Sequence, residues 1–248
     1  MDVVLIKDKI ITEFDAAEAI KTLRTNVIFS GTDVKVIGLT SCHPSDGKTT
    51  MSFNLAASLA QNGKTVALLD ADLRRSVLMK YASNRPQIVG LGHYLSGMCN
   101  LDELLRRTDV PNLFVAFAGA RVPNPAELLG GQRMKSLVDA LRNQLDYVII
   151  DTPPLGSVID CAIMRPFIDG YIIVVNAQNN SYKTVRRIKS QLEKANGKIL
   201  GVVLNKVNYS EQQYYYGKGY GKYGKYGKYS GKYGYYGYRH GQDDSDPG

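Results

Sequence analysis

A glycine followed by lysine and threonine, two aspartates one residue apart, and a further aspartate closing an apolar run are the groups best suited to phosphate chemistry. The first set lies in Val36–Thr50, VIGLTSCHPSDGKTT. An apolar strand, a tight polar loop and the start of a helix aim backbone N–H groups and a positive helix end at one anion. In such a loop Lys48 reaches the β- and γ-phosphates and the Thr49 hydroxyl binds Mg²⁺. Ser45, Asp46, Gly47 and Thr50 complete the nucleotide-binding loop. The usual pattern has another glycine where Cys42 stands, so the loop is a variant. Cys42 reads as a small loop residue, not a nucleophile.

The other two sets follow apolar runs. Thr65–Leu69 leads into Asp70-Ala71-Asp72, and Val148–Ile150 leads into Asp151. In parallel sheets such strand ends are where ligands bind. Nucleotide chemistry needs a phosphate cradle, a divalent metal and a group that orients the attacking oxygen. Thr49 and one or two of the aspartates supply hard oxygen ligands for Mg²⁺, and a spare carboxylate can take a proton from a hydroxyl. One aspartate after a strand is commonly only a helix cap. All three elements together, in this order, point to a nucleotide site.

Positioning these groups requires strands that alternate with helices. Strands are expected at Lys35–Thr40, Thr65–Leu69, Leu113–Phe117, Asp146–Ile150, Asp169–Val175 and Ile199–Leu204. Helices are expected over about 15–29 and at Lys48–Gln61, Leu91–Leu95, Leu101–Arg107, Ala126–Asn143 and Ser181–Lys194. Continuous apolar strands between helices predict an α/β fold with a mostly parallel sheet, helices on both faces, in the manner of P-loop NTPases. Residues 1–13 read as an arm, ordered or partly free. Within the first helix Glu18, Lys21 and Arg24 recur at threes and share one face, which by spacing alone is a solvated charged face.

The 248 residues suffice for one such domain, 1–208. The net charge of +8 reads as spread over the domain and is weak support for a nucleic-acid partner; none is expected. Cys42, Cys99 and Cys161 form neither a metal pattern nor a disulfide framework, which suits a reducing cytoplasm. No signal architecture or membrane-spanning run is present, so membrane association is expected only through a partner. Beyond Asn208 the composition changes. Residues 209–238 hold twelve of the seventeen tyrosines, among glycines and lysines. A Lys-Tyr-Gly repeat has no aliphatic periodicity with which to build a core, and 209–248 reads as a disordered tail.

LTSCHPSDGKTTMSFNLA, VALLDADLRR and DYVIIDTPP resemble the Walker A, A′ and B motifs of the bacterial tyrosine kinases. The charged first helix, PNPAELL at 123–129 and the tyrosine tail resemble that family too, so the likeness covers essentially the whole chain. It is similar to the separate cytoplasmic kinases of Gram-positive capsule and exopolysaccharide operons. The resemblance implies ATP and Mg²⁺, with Lys48 and Thr49 on the phosphates and metal. It also implies Asp70 as the base toward tyrosine, Asp72 and Asp151 on Mg²⁺, and Asn205 against adenine. Lys48, Asp70 and Asp72 are then the catalytic set. Glu18, Lys21 and Arg24 become an oligomerisation helix, with lysine where relatives carry arginine, for a ring in which one subunit's tail enters its neighbour's site. The implied phosphoacceptors are Tyr214, Tyr215, Tyr216, Tyr220, Tyr223, Tyr226, Tyr229, Tyr233, Tyr235, Tyr236 and Tyr238.

Implied partners are a membrane activator (a polysaccharide co-polymerase protein), which would recruit the kinase to the inner face of the membrane, and a tyrosine phosphatase. Besides Lys21, two positions depart from the family: Ser45, often glycine, and Ser76, often proline. The alternative is a positioning or partitioning ATPase of the same fold, a class that usually carries an additional lysine early in its loop.

Overall fold

The computed structural model describes residues 3–84, 89–156 and 160–207. Seven strands form one sheet in the order β3-β4-β2-β5-β1-β6-β7. They are β1 (Val36–Ser41), β2 (Val66–Asp70), β3 (Arg106–Arg107), β4 (Leu113–Ala116), β5 (Tyr147–Asp151), β6 (Gly170–Asn176) and β7 (Ile199–Asn205). All pairs are parallel except β3 with β4. The helices are α1 (Phe14–Ile28), α2 (Lys48–Gln61), α3 (Leu91–Leu95), α4 (Leu101–Leu104), α5 (Pro125–Gly130), α6 (Gln132–Gln144), α7 (Asp160–Ile163) and α8 (Tyr182–Lys194).

The central strands are apolar throughout because both faces are covered. In β5, Val148 and Ile150 enter one core with Leu137, Leu141 and Ile188. Tyr147 and Ile149 enter the other, with Val27, Phe53, Leu55 and Leu59 from α1 and α2. Alternation along each strand thus feeds two cores from one run of residues. The polar group of Tyr171, buried in β6, is satisfied by donating to the Cys161 carbonyl at 2.9 Å, as a buried hydroxyl requires.

Three expectations need correction. The helix expected over Ala126–Asn143 is two, because Gly131 takes an extended conformation (φ −80°, ψ 168°) and ends α5 as it opens α6. The helix expected over Leu101–Arg107 stops at Leu104, and Arg106–Arg107 pair antiparallel with β4. The arm, by contrast, is ordered from residue 3 onward, the first of the two readings given for it: Val4 donates to the Arg107 carbonyl at 2.9 Å, and the Asp109 carboxylate accepts from the Ile6 N–H at 2.8 Å. Val4 and Ile6 are buried accordingly. Finally, the positive charge is not spread evenly. Residues 181–198 carry six Lys and Arg against one Glu, so most of the folded part's surplus lies on α8 and the turn after it. The cysteines are all free and buried.

The face expected of α1 does not hold together. Glu18 and Lys21 are exposed and paired with each other at 2.6 Å. Arg24 instead turns onto α2, donating to the Ser58 hydroxyl and carbonyl at 3.3 and 3.4 Å, with its Nε buried and unpartnered.

Candidate nucleotide and phosphotransfer site

Parallel register brings the chemistry together. Asp70 and Asp151, far apart in sequence, close adjacent strands and stand opposite each other in the β2–β5 ladder. Beside them β1 ends at Ser41 and runs into the loop that begins α2. Gly47 is left-handed (φ 98°), and a Cβ there would fall 2.0 Å from the Asn205 amide nitrogen. The left-handed backbone favours glycine here, and any side chain would also displace the Asn205 amide.

An open pocket of about 760 Å³ lies over this junction. Ser45, Gly47, Lys48, Thr49, Thr50 and Asp72 line it, and so do Arg74, Arg75, Tyr81 and Lys206. Among the expected site residues, Asp46, Asp70, Asp151 and Asn205 are not on its wall. Asp151 lies beneath the wall, accepting from the Lys48 ammonium at 2.8 Å and the Ser52 hydroxyl at 3.2 Å. Asp72 is 3.9 Å from the same ammonium. Burial works against the Lys48 charge, but the Asp151 carboxylate outweighs it and holds the lysine above its ordinary pKa. One cation thus serves three buried aspartates.

Asp70 is fully buried. Burial and then the neighbouring Asp151 charge raise its pKa to about 7, while the Ser76 hydroxyl and Lys48 oppose the rise. Its carboxylate accepts from the Asp72 N–H at 3.2 Å and, in a short contact, from the Ser76 hydroxyl. Ser76 is itself exposed. An exposed residue thus puts its hydroxyl against the buried Asp70 carboxylate.

Asp46 braces the loop. Its carboxylate accepts from the His43 N–H at 2.7 Å and the Asn180 amide at 3.0 Å, and its carbonyl accepts from the Asn205 amide at 2.9 Å. Asn205, expected against adenine, is thus engaged with the loop. The Thr50 and Tyr81 hydroxyls share a hydrogen bond of 2.7 Å. The Cys42 thiol is pushed up to about 11 by burial and the Asp46 charge, which leaves no thiolate at neutral pH and bears out its reading as a loop residue. Asp160 ends as an ion-pair partner: Arg74 binds both of its oxygens, at 2.7 and 3.1 Å.

Sequence reasoning missed Lys206, Tyr81, Asn180 and the Arg74–Asp160 pair, none of which belongs to a spaced motif. Ser76 stood out only as a departure from a family pattern. The tyrosines of 209–238 lie outside the described residues.

Thr49 and Asp72, both on the wall, are hard oxygen donors suited to Mg²⁺ alongside nucleotide phosphates. Among the described residues no three His, Cys, Asp or Glu side chains group to hold a metal by themselves.

Residues 34–202 match the family model described as an AAA domain. The chain is 40% identical over 205 residues to the tyrosine-protein kinase CpsD of Streptococcus agalactiae, covering 83% of this chain and 90% of that protein. The kinase domain of the Escherichia coli tyrosine kinase ETK is similar with a TM-score of 0.73 at 31% identity, over 89% of this chain and 80% of that one. The septum site-determining protein MinD of Pyrococcus horikoshii, complexed with Mg-ADP, reaches a TM-score of 0.60 at 23% identity over 72% of each chain, a likeness of fold.

Proposed function

The chain belongs to the P-loop bacterial tyrosine kinases, and from that membership we propose that it transfers the γ-phosphate of ATP to tyrosines of segment 209–248 on a neighbouring copy, in the service of capsular polysaccharide synthesis. The observation that carries this reading is Lys48, the single buried lysine among the described residues, held between Asp151 and Asp72 at the floor of an open pocket. Its ammonium is poised to exchange a carboxylate for a phosphate. Thr49 and Asp72 would hold Mg²⁺, with Asp151 beneath them. Mg²⁺ supplies charge neutralisation on the phosphate oxygens.

Asp70 accepts the tyrosine proton in this proposal. A base whose pKa lies near the working pH is effective in that role. An acceptor hydroxyl would take the position of the Ser76 hydroxyl against the Asp70 carboxylate. Several tail tyrosines, each gaining about −1.5 to −2 charges on phosphorylation, would turn a basic segment acidic. Such a segment would leave a cleft floored by aspartates, so transfer and release are linked. Oligomerisation through α1 rests on Glu18 and Lys21 more than on Arg24, whose guanidinium is committed to α2.

No described helix is long and apolar enough to cross a membrane. A membrane activator bringing the kinase to the inner face, and a phosphatase resetting the tail, complete the proposal. The reading as a positioning ATPase is less favoured. The likeness to MinD is weaker than that to ETK, and the loop 42–46 has no additional lysine.

The test is incubation with γ-labelled ATP and Mg²⁺, with and without residues 209–248. The expected result is label on the protein that disappears when the tail is removed. Label released as free phosphate by both forms, with none on protein in the presence of a co-purified membrane activator, would exclude the kinase reading.

A further inference from the structure

Ser45 departs from the glycine expected in this loop, and the structure gives it a glycine-like backbone, φ 65°. A residue with a Cβ occupies that region at a cost, so something must hold it there. Two consecutive residues at the end of β7 do so. The Asn205 amide donates to the Asp46 carbonyl at 2.9 Å, and the Lys206 ammonium donates to the Ser45 carbonyl at 2.8 Å. Lys206 is itself left-handed, φ 56°, so the chain accepts a second unfavourable conformation to place this ammonium.

The consequence follows from peptide geometry. In a planar trans peptide the C=O and the next N–H point in opposite directions. Pinning the Ser45 and Asp46 carbonyls toward β7 therefore turns the N–H groups of Asp46 and Gly47 away from it. Backbone N–H groups held in fixed directions are what bind phosphate in such a loop. Lys206 also lines the pocket.

We propose that Lys206 is a positioning residue of the nucleotide site, compensating for Ser45 by fixing the phosphate loop in its binding shape. It acts on ATP affinity and not on the transfer step. This rests on the ATP reading above.

The experiment is a double-mutant cycle in the full chain, Lys206→Ala against Ser45→Gly, with Lys206→Arg as the conservative control. Two quantities are read: Kd for Mg-ADP by titration calorimetry, which needs no transfer activity, and KM and kcat for ATP. Losing one charge-assisted hydrogen bond at an exposed site should raise Kd and KM about three- to tenfold. kcat should stay within about twofold, and Lys206→Arg should retain most of the affinity. In the Ser45→Gly background the effect of Lys206→Ala should shrink to about twofold or less, because glycine needs no pin.

An unchanged Kd in Lys206→Ala, a fall in kcat as large as the rise in KM, or equal effects in both backgrounds would each overturn the proposal. Failure of the parent chain to bind Mg-ADP would overturn both this inference and the ATP reading. Normal binding without tyrosine phosphorylation in the presence of the membrane activator would reject the kinase reading alone.

Discussion

Lys48→Met is expected to lower phosphate transfer by about 10²–10³-fold or more, as removal of a principal charge-stabilising donor does. A second effect follows from the geometry. Among the described residues Lys48 is the only cation in contact with Asp151 and Asp72, and its side chain is 7% exposed. Removing it leaves buried carboxylates uncompensated, which typically costs about 3–5 kcal/mol. That loss should be largest above about pH 8 and should shrink toward pH 6, where Asp70, whose pKa is about 7, takes a proton. Thermal unfolding of both proteins across this range, without nucleotide or Mg²⁺, measures the stability effect. Transfer within tenfold of the parent would remove Lys48 from the mechanism. A stability loss independent of pH would mean that the aspartates do not carry it.

Asp70→Asn should separate activity from stability in opposite directions. Loss of a general base typically costs about 10²–10⁴-fold in transfer, while Mg-ADP binding should persist. For stability the sign runs the other way. The carboxyl titrates near 4 when unfolded and at about 7 when folded. The folded state therefore binds the proton more tightly, and the stability this gives is present below the unfolded value and lost as pH rises through 7. At pH 8 the ionised group is a burden that asparagine does not carry. The variant should gain on the order of 2 kcal/mol there, or about 4–8 °C in Tm for a domain of this size, and little at pH 5. For the parent, transfer should rise with pH through about 7 as the base ionises. A lower Tm for Asp70→Asn at pH 8, or a parent rate flat across neutrality, would remove Asp70 from the role of base.

Much of the fold was legible because its signals are local. The boundaries of α2 and of the central strands follow from runs of apolar residues and from the Asn62-Gly63 stop. The failures came where the local signal was silent or a tertiary contact overrode it. Gly130-Gly131 sits inside an amphipathic pattern that does not reveal whether the helix passes through it. Arg106-Arg107 form a strand only because β4 lies alongside. Arg24 occupies the same helical stripe as Glu18 and Lys21, yet it belongs to α2 because Ser58 is in reach. Three-residue spacing fixes a direction about the helix axis; it does not fix what a long side chain will meet.

By itself the sequence determined the kind of chemistry. The order of phosphate loop, paired aspartates and strand-end aspartate, each after an apolar run, specifies a nucleotide site whatever the details of packing. Only the tertiary structure decided how those groups divide the work. Burial beside Asp151 moved Asp70 to about 7, and exclusion from the pocket wall left Asp72 as its carboxylate. The same packing carried Asn205 and Lys206 from the last strand onto the loop that follows the first. Spacing along a chain encodes hydrogen bonding and periodicity over a few residues. Charge energetics depend on which groups share a low-dielectric interior, and that is fixed only when distant strands stand side by side.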